Sequence, residues 1–331
     1  MQLHPDKIIS ARILIAALDW GMGHTTRCVS IIRQLITQKN EIIFAGNLDQ
    51  CAFIKREFED QVKFVHLDGY GVTLDSQKSA YWQLLNQFSK IKKAIDAENK
   101  FVQKFVKEHK IELVISDNRY GFFSAQTNNI FISHQLNLQL PFLKRFVNSQ
   151  LKKWIEKFDG VWIPDDEKKS LCGDLVLVDF VTPKIFIGLL GRFRKQEIPV
   201  RFDFLGIVSG PEPERTRFSK LLADYLCKQN KRVALVGAKE IYNDISCFEN
   251  PSTQELQHLI NESACVISRA GYTTIMELIL LEKNAILIPT PGQFEQEYLA
   301  KNVQSEFLSF ISEKDLTQSI PAKFNSGQTR N

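Results

Sequence analysis

Five short stretches of this chain set glycines, hydroxyls, carboxylates and a histidine between an apolar run and a helical pattern. The first is Asp19-Trp20-Gly21-Met22-Gly23-His24-Thr25. Gly21 and Gly23 let the backbone turn tightly and let a ligand approach peptide N–H groups. Arg27 and Cys28 occupy the region where a dinucleotide loop has its third glycine, which speaks against a dehydrogenase. His24, at the start of a helix, is a candidate to accept a proton or to donate to a phosphate. The plain alternative is a solvated helix-start histidine. The second stretch is Ser116-Asp117-Asn118-Arg119-Tyr120-Gly121. Asp117 can orient a base or act as one, and Arg119 can pair with it or with an anionic ligand. An internal Asp–Arg pair that only holds the loop is the competing account.

The remaining three stretches suit a phosphorylated sugar. Between Gly206 and Arg215, Ser209 and Gly210 precede a helix and can offer hydroxyl and backbone donors to a diphosphate. Glu212 and Glu214 would repel that anion and are expected to face the helix dipole from outside. In Ser268-Arg269-Ala270-Gly271-Tyr272-Thr273-Thr274-Ile275-Met276-Glu277-Leu278 an apolar strand runs through a glycine turn into a helix. Thr273, Thr274 and Glu277 fall within one helical turn, so hydroxyls and carboxylate can share a face and hold a phosphate and a sugar hydroxyl together. The last stretch runs from Pro289 to Tyr298, where Glu295 and Gln296 open a helix and can bond sugar hydroxyls, while Tyr298 suits the core. The sequence lacks Asp-x-Asp, and its histidines are not grouped. No metal is therefore expected at the diphosphate, and Arg269, Arg192 and helix ends are the expected charge stabilisers.

Strand and helix signals alternate along the chain, which implies an α/β architecture with doubly wound parallel sheets. Strands are expected at 12–17, 41–45, 62–67, 113–116, 130–133 and 160–163, then at 175–178, 185–189, 202–207, 232–236, 264–268 and 285–289. Helices are expected at 25–38, within 76–109, and at 140–157, 214–228, 253–260, 273–281 and 294–305. The polar run Pro164-Asp165-Asp166-Glu167-Lys168-Lys169 reads as the hinge. It gives an N-terminal domain of residues 1–163, a C-terminal domain of 164–318, and a flexible tail at 319–331. A length of 331 residues favours two domains. Hydrophobic content of 44% and charged content of 24% are those of a globular protein. A net charge of +4 without any nucleic-acid motif excludes nucleic acid as a partner. The six scattered cysteines fit a reducing, cytoplasmic setting.

The run Ile267-Ser268-Arg269-Ala270-Gly271, with Thr274, Glu277-Leu278, Pro289, Glu295-Gln296 and Ala300, resembles the C-terminal domain of family 28 glycosyltransferases. Gly21-Met22-Gly23-His24 resembles that family's first glycine loop, Tyr120-Gly121 its second, and Ser209-Gly210 the loop that opens its second domain. The first loop is shorter and less glycine-rich than is usual, and Leu299 stands where the family has Asn. The resemblance implies a GT-B fold: two Rossmann-like domains facing a cleft, with acceptor on the first and donor nucleotide on the second. By the same resemblance Glu277 would hold the ribose hydroxyls, the turn from Arg269 to Thr274 would lie near the diphosphate, and Glu295 and Gln296 would meet the donor sugar.

The expected activity is metal-independent, inverting transfer of a sugar from a nucleotide diphosphate, UDP above all, to an acceptor hydroxyl in cell-envelope or glycoconjugate synthesis. His24 is the candidate base, assisted or replaced by Asp117, and no cofactor is expected. A lipid-linked molecule is one candidate acceptor. Phe142, Leu143, Phe146 and Trp154 alternate with Lys144, Arg145, Lys152 and Lys153; this pattern suits peripheral contact with the inner face of a membrane, or a half-buried helix with a basic face. The rival readings are a nucleotide-sugar 2-epimerase and a non-catalytic nucleotide-sugar binder.

Overall fold

The computed structural model describes residues 3–72, 87–138, 144–179, 181–242 and 244–316. They form two compact units that divide between Arg192 and Phe193. The expected tail at 319–331 and parts of the expected helices, 76–86 and 140–143, lie outside the described residues.

The first unit winds β1 (Arg12–Ala17), α1 (Gly23–Thr37), β2 (Glu41–Gly46), α2 (Leu48–Phe58), β3 (Val62–His66), α3 (Phe88–His109) and β4 (Leu113–Asp117). It continues through β5 (Asn128–Ile132), α4 (Lys144–Ile155), β6 (Gly160–Ile163) and β7 (Lys184–Phe186). The strands form one seven-stranded sheet in the order β3-β2-β1-β4-β5-β6-β7, and every neighbouring pair is parallel. A parallel sheet is covered on both faces, which is why its inner strands read as unbroken apolar runs; Ile13, Leu14 and Ile15 are all fully buried. The chain builds β2 and β3 on one side of β1, then crosses to lay β4 on the other. At that switch point the loops after β1 and β4 diverge and leave a crevice at the strand ends. The register sets Ala17 opposite Asp117, so the loop that carries His24 starts beside Asp117.

The second unit repeats the device. It comprises β8 (Phe202–Ile207), α5 (Glu214–Leu226), β9 (Val233–Val236), β10 (Ser246–Phe248), α6 (Thr253–Asn261), β11 (Ser263–Arg269) and α7 (Tyr272–Leu280). It ends with β12 (Ala285–Ile288), α8 (Phe294–Asn302), β13 (Leu308–Phe310) and α9 (Glu313–Leu316). The six strands run β10-β9-β8-β11-β12-β13, all parallel. Here the switch point lies between β8 and β11, with Ile207 opposite Ser268. Its core gathers Phe204, Phe218, Leu222, Leu235, Ile267 and Ile286 between the sheet and its helices.

The expected division at 163/164 is corrected to 192/193. Strand β7 pairs Lys184, Ile185 and Phe186 with Val161, Trp162 and Ile163, so it extends the first sheet rather than opening the second. The polar run expected as a hinge is a turn built on a buried carboxylate. Asp165 accepts the N–H groups of Leu171 and Cys172 at 3.0 and 2.7 Å. The expected strand at 175–178 does not form: its first two residues end a short 3-10 helix, Gly173–Val176.

Candidate functional site

Each unit places chemistry-bearing residues at its own switch point. In the first, Gly21 has φ +99°, a left-handed conformation that favours glycine, and it turns the chain so that α1 starts at Gly23. Trp20 and Met22 on this loop are about two-fifths exposed. His24 then sits in the first turn of α1, with Nδ1 2.7 Å from Oδ1 of Asp117, the last residue of β4.

Asp117 is fully buried and shared. Arg27, one helical turn after His24, grips it with Nε on Oδ2 and Nη2 on Oδ1. Nη2 also comes within 2.9 Å of His24 Nδ1, and Nη1 lies 2.8 Å from Nδ1 of His134, just beyond β5. Burial pushes the Asp117 carboxyl upward, but the Arg27 guanidinium and then His24 outweigh it and hold it at about 2. An ionised carboxylate only accepts, so the shorter contact, to Asp117, favours the tautomer with the proton on His24 Nδ1 and the lone pair on Nε2; in that tautomer Arg27 Nη2 gives its hydrogen to Oδ1 and not to Nδ1. A guanidinium only donates, so His134 accepts at Nδ1. Cys28 reaches the same carboxylate with its thiol at 3.7 Å. Burial first, then the Asp117 charge, push that thiol well above its ordinary value, which keeps it protonated and a poor nucleophile.

The expected pairing of Asp117 with Arg119 does not form. Arg119 turns away and makes a buried ion pair with Glu98 of α3, and its Nη2 donates to the Asp68 carbonyl at 2.6 Å. Glu98 also accepts from the Tyr70 hydroxyl at 2.8 Å and the Gly121 N–H at 3.0 Å. Burial raises the Glu98 carboxyl despite these bonds. This network ties the loop after β4 to α3. The partner of Asp117 that sequence reasoning missed is Arg27. The available signal was a charged residue on the buried stripe of α1, between Thr26 and Cys28.

In the second unit the switch-point loops are residues 208–213, with Ser209 and Gly210, and residues 270–271. Gly271 N-caps α7 with φ −74° and ψ 143°, and no side chain caps that helix end. A Cβ at Gly271 would meet nothing nearer than Thr274 Oγ1 at 3.8 Å. Neither backbone strain nor packing therefore demands glycine there. Open space at a helix N-terminus suits an anion. Thr273 and Thr274 lie in the first turn, and Glu277, buried, lies one turn on along the same face.

Two expected charge stabilisers already have partners in this structure. Arg269 is buried with Nη2 at 2.6 Å from both Glu214 Oε1 and Glu313 Oε1, and its guanidinium lies 3.8 Å from the Phe218 ring centroid. Its charge is already matched by two carboxylates, and it welds α5 and α9 to the end of β11. Arg192 lies 6.0 Å from the Phe53 ring centroid within the first unit. Of the acidic pair in the loop before α5, Glu212 accepts from the Thr216 N–H at 3.1 Å and so serves the helix dipole, while Glu214 faces Arg269. Gln296 accepts from the Thr290 N–H at 2.9 Å and donates to Gln293 at 2.5 Å, which commits its amide to shaping the loop. Glu295, beside it in the first turn of α8, is half-buried.

Comparison with known proteins bears on both units. Residues 226–323 match the glycosyltransferase family 28 C-terminal domain. A protein of Gloeothece citriformis is 25% identical over 94% of this chain and 85% of its own length. It is named UDP-N-acetylglucosamine–N-acetylmuramyl-(pentapeptide) pyrophosphoryl-undecaprenol N-acetylglucosamine transferase. An uncharacterized glycosyltransferase of Methanosarcina mazei is 24% identical over 89% of this chain and 84% of its own. Among solved structures, Arabidopsis thaliana UGT89C1 complexed with UDP-L-rhamnose superposes with a TM-score of 0.62 at 9% identity, covering 96% of this chain and 88% of that one.

Proposed function

The chain is a glycosyltransferase of GT-B fold that carries a family 28 C-terminal domain, and on that premise we propose that it moves a sugar from UDP to an acceptor hydroxyl with inversion at the anomeric carbon. The observation that carries this reading is the 2.7 Å contact between His24 Nδ1 and a buried, ionised Asp117. That contact leaves Nε2 of a one-fifth-exposed imidazole to take a proton. The acceptor hydroxyl gives its proton to Nε2 while its oxygen bonds to the anomeric carbon. The bond from that carbon to the diphosphate oxygen breaks on the opposite face, and UDP leaves with the electron pair. Asp117 orients the imidazole and stabilises the imidazolium; buried and gripped by Arg27, it is not itself the base.

The donor is assigned to the second unit. The uncapped N-terminus of α7, with Gly271, Thr273 and Thr274, takes the diphosphate and stabilises the leaving charge in place of a metal ion. Glu277 accepts from the ribose hydroxyls, Ser209 and Gly210 complete the diphosphate loop, and Glu295 meets the sugar. UDP is supported by the relative's name and by the nucleotide sugar held in the Arabidopsis structure.

An apolar, lipid-linked acceptor is favoured by two features of the first unit. Trp20 and Met22 are exposed directly before His24. Elsewhere Phe146 of α4 is 61% exposed, with Leu177 at 51% and Val181 at 90% on the segment that Lys152 tethers through the Asp179 carbonyl. Among the described residues no helix is long and apolar enough to cross a membrane, so contact with an anionic bilayer would be peripheral, in cell-envelope synthesis. The deciding experiment incubates the protein with a panel of UDP-sugars, with and without polyprenyl-linked acceptors, in the presence of EDTA. Release of UDP that depends on acceptor supports the reading. Epimerised UDP-sugar without UDP release, or binding without turnover, overturns it.

A further inference from the structure

We propose that Arg27 is a positioning residue of the first-unit site: its guanidinium fork fixes Asp117 as the permanent acceptor for His24 Nδ1–H, and His134 anchors the fork's far arm. The proposal rests on the reading of His24 as the base, and it adds two residues to which the sequence pattern assigned no role.

Three atoms of one guanidinium make four contacts here. Nε and Nη2 take the two carboxylate oxygens of Asp117, so the carboxylate cannot rotate. Nη2 also lies 2.9 Å from His24 Nδ1, a contact that is not a hydrogen bond in the Nδ1–H tautomer because Nη2 gives its hydrogen to Oδ1, and Nη1 donates to His134 Nδ1 at 2.8 Å. Only Arg has a planar fork able to hold this set; Lys is a point charge. The arrangement has a chemical consequence. Asp117 is fully buried, which pushes it toward the neutral acid; Arg27 is the first of the groups that oppose this, and its removal leaves only His24 against burial. A protonated Asp117 would donate to His24 Nδ1 rather than accept from it. That reverses the tautomer, puts the imidazole proton on Nε2, and removes the lone pair that faces the acceptor. The groups that face this carboxylate are His24, Arg27 and Cys28 from α1, and His134 reaches it only through Arg27. Arg27 is thus the sole permanent cation among these contacts.

His134 has a defined part in this. Guanidinium donors force it to accept at Nδ1, so it must stay neutral at that nitrogen for Arg27 to keep its place. A glutamine carbonyl can replace that acceptor; a leucine cannot.

The test measures the tautomer of His24 directly by nitrogen-15 NMR of histidine-labelled protein near neutral pH, with the resonance assigned through His24→Gln. The wild-type protein is expected to show Nδ1–H alone. Arg27→Gln and Arg27→Lys are expected to show the Nε2–H form or a mixture, with kcat lower by about 100-fold and the donor KM within about twofold. His134→Leu is expected to shift the tautomer in the same direction, and His134→Gln to restore the wild-type signal. An Arg27→Gln protein with wild-type circular dichroism and His24 still wholly Nδ1–H would overturn the proposal. Should Arg27→Gln not fold, a wild-type tautomer and kcat in His134→Leu would overturn it equally. The NMR readout needs neither donor nor acceptor. A protein whose tautomer answers to Arg27 but which turns over no nucleotide sugar would overturn the transfer reading and leave this one standing.

Discussion

At the scale of single residues, the proposed function divides the work of the two switch points between proton transfer and donor binding, and mutation should separate them. His24→Ala is expected to lower kcat by about 100-fold or more while UDP binding, followed by calorimetry, stays as in the wild type. Glu277→Ala should do the reverse, with the donor KM or the UDP dissociation constant raised about tenfold. Equal effects of both changes on UDP binding would contradict the division. The places of His24, Asp117 and Gly271 can be read from sequence because each stands at or just beyond the end of an apolar strand, and Glu277 follows from helical spacing after Thr273. That of Arg27 cannot. In sequence it stands where a dinucleotide loop has its third glycine, and its only other signal is a charge on a buried helix stripe, which calls for a partner. The partners of Arg269 are hidden from sequence for a complementary reason. Glu214 and Glu313 lie far away in sequence, and only the fold brings both to within 2.6 Å of its guanidinium.

At the scale of elements, loops that must hold a base are anchored by buried polar bonds. The Glu98–Arg119 pair ties the Asp117 loop to α3, and Gly121 fits because a Cβ there would lie 2.2 Å from the Ile95 carbonyl oxygen. Glu98→Ala leaves an uncompensated guanidinium and should cost about 3–5 kcal/mol of unfolding free energy, read by urea denaturation. By contrast, Ser252→Ala removes only the cap of α6, whose hydroxyl accepts from Glu255 N–H at 3.2 Å, and should cost about 1 kcal/mol. The expected strands at 12–17, 160–163 and 202–207 coincide with β1, β6 and β8 because their apolar runs are buried. The three-residue strands β10 and β13 are too short to show any periodicity. Strand β7 was expected but given to the wrong sheet, since sequence order does not say which neighbour a strand will find.

At the scale of the whole molecule, the switch points link acidity to stability. Asp117 has a folded value of about 2 against an ordinary 3.8, so it contributes stability at neutral pH that is lost as pH falls from about 5 through 2. From that shift the loss is about 2 kcal/mol. Glu98, raised by burial, binds its proton more readily in the folded protein and works in the opposite sense over the acidic range. Unfolding free energy measured against pH should therefore fall more gently in Asp117→Asn than in the wild type. An unchanged slope would mean that Asp117 is not held as described.

The sheets themselves carry a last consequence, for solubility. Among the described residues each sheet ends in strands with no neighbour on one side: β3 and β7 in the first, β10 and β13 in the second. Three of these four are only three residues long, and the longer one, β3, carries Lys63, whose ammonium reaches out to Glu41. A stray extended chain finds too few groups there to pair with, and beside β3 it would have to bury a charge. These edges are therefore expected to resist growth of the sheets from one molecule into the next. Lys63→Val is the change most expected to undo that, with turbidity on prolonged incubation as the measure.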